Sequence, residues 1–173
     1  MRAKRQLISL VFALLLAACT PALDWREYRP PEGGFSVLLP QKPGQSIREL
    51  STPAGNITMR MISVRLGMDV LAAGFADFPA PPGQVLVDAM RDVLVGNIGG
   101  RIQSERSIDV VGGTGREFSA TGTLGRGDSA QTHIMRARLI VRDRRYYQLI
   151  WLGTRSGMAE ADIDLFLGSF RPD

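Results

Sequence analysis

Gln131-Thr132-His133-Ile134-Met135-Arg136-Ala137-Arg138-Leu139-Ile140-Val141-Arg142 is the stretch on which the fold turns. Side chains of an extended strand point alternately to its two faces. By that period His133, Met135, Ala137, Leu139 and Val141 share one face, while Thr132, Arg136, Arg138 and Arg142 share the other, with Ile140 the exception. One face suits a core and the other is basic. Residues 104–111, 115–123 and 146–152 flank this strand, separated from it and from each other by glycine-rich or Asp-Arg turns, and the four together predict an antiparallel meander.

The upstream half reads the same way. Gly33-Gly34 precedes the apolar run 35–39, which Pro40 and Pro43 stop, so a first strand lies there. Residues 45–51 and 57–66 predict two more strands around the turn 53–56. A further strand is expected over 70–78, because Gly74 weakens a helix and Pro79, Pro81 and Pro82 end whatever precedes them. From 84 to 98, Leu86, Met90, Val93, Leu94 and Ile98 recur at helical spacing before the stop Gly99-Gly100. Ser156 is placed to cap a last helix that carries Glu160, Asp162 and Asp164 in its first turns. Ala159, Ile163, Phe166, Leu167 and Phe170 form its apolar stripe, so this face is expected on the sheet and the acids in water. The expected class is α+β, an antiparallel sheet flanked by helices.

Before this domain stands a different kind of segment. Arg2, Lys4 and Arg5 precede 12 residues, 7–18, that are apolar except for Ser9. Twelve residues are too few to span a bilayer, but they fit the apolar part of a secretory signal. The run ends in Leu16-Ala17-Ala18-Cys19, which resembles a bacterial lipoprotein lipobox. That resemblance implies cleavage between Ala18 and Cys19, a diacylglyceryl group on the Cys19 thiol and acylation of the new amine. Several acyl chains make a stable anchor where one does not. Thr20 and Pro21 follow, in place of the Asp that resembles an inner-membrane retention signal, so the expectation is an outer-membrane anchor with the domain in the periplasm. Three parts result: a signal peptide at 1–18, the lipidated Cys and a proline-bearing linker at 19–32, and one domain at 33–173.

Composition narrows the functions. The chain has 173 residues, 45% hydrophobic and 22% charged, which excludes disordered, collagen-like and coiled-coil classes. A single Cys forbids an internal disulfide, and one His with one Cys does not supply the usual zinc ligands. Three of the 21 basic residues lie in the signal, leaving 18 against 17 acids, a balance that does not support a nucleic-acid partner.

Gly34-Phe35-Ser36-Val37-Leu38-Leu39-Pro40-Gln41-Lys42-Pro43 resembles the opening strand of PsbP-like proteins, the fold of an extrinsic photosystem subunit and of a Ran-binding nuclear import factor. Gly113-Thr114-Gly115-Arg116-Glu117-Phe118, residues 138–151 and residues 166–172 are similar to later strands and the final helix of bacterial members. The likeness covers about residues 35–172. It implies an α/β/α sandwich and a binding or assembly role, and it brings no catalytic motif or cofactor.

Candidate sites are few. His133 lies in phase with Met135 and Leu139 and reads as a core or core-edge residue. Gly112-Gly113-Thr114-Gly115-Arg116 and the glycines of 122–127 lack the Lys-Ser/Thr ending of a phosphate loop and read as hairpin turns. Arg126-Gly127-Asp128 is a chance tripeptide in such a turn. The acids at 160, 162 and 164 lack the alternating oxygen ligands of a cation loop. The candidate binding face is Arg136, Arg138 and Arg142 with Tyr146, since guanidinium groups on an exposed face grip carboxylates or phosphates in pairs of hydrogen bonds. The sequence therefore predicts a lipid-anchored binding or assembly factor with an envelope protein partner and without catalysis. Its alternative is a carrier or sensor of a small anion on the basic face.

Overall fold

The alternating segments become strands in the computed structural model, which describes residues 23–52 and 55–173. In chain order they are β1 (Arg26–Tyr28), β2 (Phe35–Leu39), β3 (Gly44–Thr52), β4 (Gly55–Leu66) and β5 (Asp69–Asp77). Helix α1 (Gln84–Asn97) follows, then β6 (Arg101–Val110), β7 (Gly113–Leu124), β8 (Gln131–Arg142) and β9 (Arg145–Gly153), and finally α2 (Glu160–Gly168) and β10 (Arg171–Pro172). The signal, Ala18 and Cys19 lie outside the described residues, as do Pro53 and Ala54 of the expected turn. Among the described residues no helix is long and apolar enough to cross a membrane.

The architecture is α+β, mostly antiparallel sheet with two helices. Seven strands pair in the order β3-β4-β5-β9-β8-β7-β6, so two runs of hairpins meet at β5 and β9, where Phe75 lies opposite Tyr147. β1, β2 and β10 form a second, three-stranded sheet with β2 in the middle. Alternation divides the core in two. Met135, Ala137, Leu139 and Tyr146 face α1, which buries Leu86, Val87, Met90, Leu94 and Val95. On the opposite face Leu71, Phe75, Leu149 and Trp151 meet α2 and the inward side chains Phe35, Val37 and Leu39 of β2.

Four expectations are corrected. Val93 is 52% exposed, because the buried arc of α1 is centred between Val87, Met90 and Leu94 and Val93 lies past its edge. The span to Glu32 is not linker throughout, since Arg26–Tyr28 pairs with β2, Arg26 opposite Leu39 and Tyr28 opposite Val37. The glycine segments are only partly turns, for Gly113, Gly115 and Gly122 belong to β7. Ser156 does not cap α2. Ala159 holds the cap position without a side-chain hydrogen bond, and Ser156 lies in the turn before it.

A buried carboxylate fixes that turn instead. Asp69 Oδ1 accepts from the Trp151 indole N–H at 3.0 Å, and Oδ2 accepts from the Met158 backbone N–H at 3.0 Å. Gly153 and Gly157 close around it, and a Cβ on either would run into the carboxylate. Only glycine leaves room for Asp69 to tie the start of β5 to the entry of α2. Asp69→Ala strands the indole N–H of Trp151, which is 3% exposed. The variant should lower the unfolding free energy by about 3 kcal/mol. Urea denaturation followed by tryptophan emission measures it, and a loss near zero would show that Asp69 does not hold the turn.

Candidate functional site

The register of β7, β8 and β9 decides what the candidate arginines touch. Antiparallel partners share a face, so the pairs Arg106 with Glu117 and Glu117 with Arg138 place three charges in one row across β6, β7 and β8. Arg138 Nε donates to Glu117 Oε2 at 2.6 Å and Arg106 Nη2 to Oε1 at 2.8 Å. Arg138 Nη1 also donates to the Leu167 carbonyl at 2.8 Å, near the end of α2. Arg136, on the same face one row along, meets Asp164 Oδ1 at 2.8 Å and also Glu160. Three guanidinium groups thus meet three carboxylates under and beside α2.

The Arg136 and Arg138 part of the expected basic face is therefore neutralised from within. Two acids that were expected only to face water, Glu160 and Asp164, hold Arg136, although their own side chains remain 74% and 59% exposed. Arg142 Nη1 donates to the Asp173 carbonyl. Tyr146 does not belong with the arginines. Val141 lies opposite Tyr146 in the β8–β9 hairpin, so the ring points to the α1 face, fully buried, with its O–H donating to Gln148 Oε1 at 3.2 Å. Burial pushes its phenol far above the usual range. His133 is 6% exposed, and its Nδ1 lies 3.0 Å from the Gln131 carbonyl oxygen. Among the described residues no cluster of His, Cys, Asp and Glu could hold a metal ion.

The arrangement brings together residues that sequence spacing does not. Arg145 spans the two sheets: Nε and Nη2 donate to Asp77 at 2.6 and 2.9 Å, while Nη1 donates to the Glu32 and Gly33 carbonyls, both at 2.9 Å. That clamp holds the β1–β2 loop over the sheet. Between this loop and strands β3, β4 and β5 lies a cleft of about 220 Å³. Pro30, Pro31 and Glu32 wall it on one side, Ile47 of β3 rims the other, and Ile62, Ala73 and Phe75 contribute to its lining. Arg60 crosses it, 3.6 Å from Glu32 and 5.9 Å from the Phe75 ring centre. The one sequence signal for it is the break Pro30-Pro31-Glu32-Gly33-Gly34 ahead of an apolar strand.

No family model matches this chain, and no curated protein matches it. Among solved structures it is similar to the crystal structure of a protein of unknown function, PA94 from Pseudomonas aeruginosa. The identity is 13%, over 76% of this chain and 84% of that one, with a TM-score of 0.36. A likeness that distant has no bearing on function.

Glu117 offers a test of the ionic row. Burial alone would raise its pKa, but the hydrogen bonds and charges of Arg138 and Arg106 outweigh burial and hold it below the usual carboxylate range. A carboxyl group whose folded pKa is depressed adds stability above its unfolded pKa, about 4.3, and that stability is lost as pH falls through the folded value. The stability margin of the parent protein over Glu117→Gln should therefore be level from about pH 7 to 5 and shrink below that. Urea midpoints across pH measure it, and a margin flat to acid pH would contradict the pairing.

Proposed function

We propose that this chain is a lipid-anchored binding or assembly factor of the bacterial envelope, tethered through Cys19 to the outer membrane and facing the periplasm, without catalytic activity. The observation that carries the binding part is the cleft beside Pro30–Glu32, next to a sheet edge that no strand among the described residues pairs with, while Arg136 and Arg138 are closed off by carboxylates of the chain. The lipobox at 16–19 supports the anchor. A PsbP-like sandwich is the finer fold reading that goes with it, supported by one helix on each face of the main sheet. The second reading, a carrier or sensor of a small anion on the basic face, is less favoured, because Arg136 and Arg138 already meet carboxylates of this chain while Arg142 meets only the Asp173 backbone oxygen.

The intact mass of membrane-extracted protein should show cleavage before Cys19 and added acyl chains, and Cys19→Ala should lack both. An unmodified parent mass would remove the tether. Chemical cross-linking of whole envelopes, with the parent chain as bait, should then recover a partner protein that the Cys19→Ala chain recovers poorly, and recovery of none would remove the binding role.

A further inference from the structure

β3 ends the main sheet. It pairs with β4 through nine consecutive residue pairs, from Gly44 with Ser63 to Thr52 with Gly55, with no register shift, and among the described residues no strand pairs with its other side. The opposite edge, β6, is broken by a register shift between Ile102 and Ser104 and carries Arg101, Glu105, Arg106 and Asp109. Bulges and charges are the usual means by which an edge refuses a neighbour. β3 has no bulge and no proline, and Ile47, next to the central Arg48, is 67% exposed. Ile47, Arg60 and Phe75 are cross-strand partners in one row, so this side chain stands on the rim of the cleft.

The occupant can be read from size and charge. A space of about 220 Å³ is below the roughly 300–1,000 Å³ of small-molecule sites, and it suits one apolar side chain. Glu49 shares the Ile47 face two residues along, and Glu32 stands on the far wall with its side chain 74% exposed. Among the described residues that line the cleft Arg60 is the one cation, 3.6 Å from Glu32, and the nearby Arg145 is paired with Asp77, so Glu49 leaves the surround net acidic. A second copy of this chain fits poorly. Antiparallel edge pairing about a two-fold axis joins residues of like face, whereas Arg48 and Glu49 lie on opposite faces. Pairing centred on Ile47 sets Glu49 against Gln45 and Arg48 against Ser46, and pairing centred on Arg48 sets like charges together.

On the reading of this chain as a binding module, we propose that its partner is an extended polypeptide segment of another protein, which adds as a strand to the free edge of β3. One apolar side chain enters the cleft, and a basic residue two positions along meets Glu49 or Glu32. Backbone hydrogen bonds give such additions their affinity, and alternate side chains give them specificity.

The test places a photo-cross-linking residue at Ile47 in the full-length anchored protein, with the same residue at Ile102 on the opposite edge as control. Adducts from position 47 and not 102, mapped by mass spectrometry to an extended segment of a different chain with alternating apolar and basic residues, are expected. With purified protein, the synthetic peptide Thr-Lys-Thr-Phe-Thr-Lys-Thr should slow hydrogen exchange at the β3 amides facing away from β4 at least tenfold. Its counterpart N-methylated on alternate residues should not, and Ile47→Lys should weaken peptide binding at least tenfold without loss of fold. Adducts of doubled mass with the chain itself, adducts from 102 alone, or unprotected β3 amides overturn the proposal. If envelope cross-linking recovers a partner while position 47 stays silent, the β3 site fails and the binding role stands; if nothing is recovered by either, both fail.

Discussion

β2 is the strand on which the second layer of the molecule depends. It alone pairs with β1 and with β10, so the segments nearest both ends of the described chain are held through five residues. Phe35, Val37 and Leu39 are each no more than 2% exposed, and burying an apolar side chain of this size contributes about 1.5–3 kcal/mol. Phe35 also makes ring contacts with Phe75, Tyr147 and Phe170, with centroids 5.4–6.1 Å apart. Without that adhesion the face carrying Leu149 and Trp151 would lose the cover of β2, and the wall of the cleft would rest on the Arg145 clamp alone.

The charged residues align the helices more than they strengthen them. On one face Arg116 bridges Asp88 of α1 and Glu105 of β6 at 2.5 and 2.9 Å, and Arg91 returns to Glu105 at 3.1 Å. On the other, Arg136 reaches α2 through Glu160 and Asp164, and Arg138 ties β7 to α2 through the Glu117 carboxylate and the Leu167 carbonyl. Partly exposed pairs of this kind contribute about 0.2–1 kcal/mol each, little beside the apolar core. Their effect is to set where each helix lies across the strands.

Local pattern made most of the fold legible. The predicted first strand, residues 35–39, coincides with β2, and the other predicted strands fall within about three residues of those observed, because period-two alternation and glycine or proline breaks are local signals. β1 escapes such reading, since three residues carrying Arg26 and Glu27 show no apolar alternation and their partner strand lies across a proline loop. Tyr146 could have been placed from sequence. A two-residue turn at Asp143-Arg144 puts Arg142 opposite Arg145 and Val141 opposite Tyr146, which assigns the ring to the apolar face. The engagement of Arg136 by α2 and the Asp69 tie to Trp151 could not, because they depend on where distant elements dock. The cleft is of the same kind: it exists only once Arg145 and Asp77 hold the β1–β2 loop over β5.

The shortness of β1 has a mechanical consequence. Any tension that reaches the domain through the residues before Arg26 loads a three-residue strand first, at the pair Arg26 and Leu39. Three pairs give way before the buried β2 carries force, so β1 acts as a weak link in series with the core. Peeling it would also tug the Pro30–Glu32 wall, which the Arg145 clamp secures from the other side. Pull on the residues before Arg26 and the width of the cleft are thus joined through one short strand and one guanidinium group.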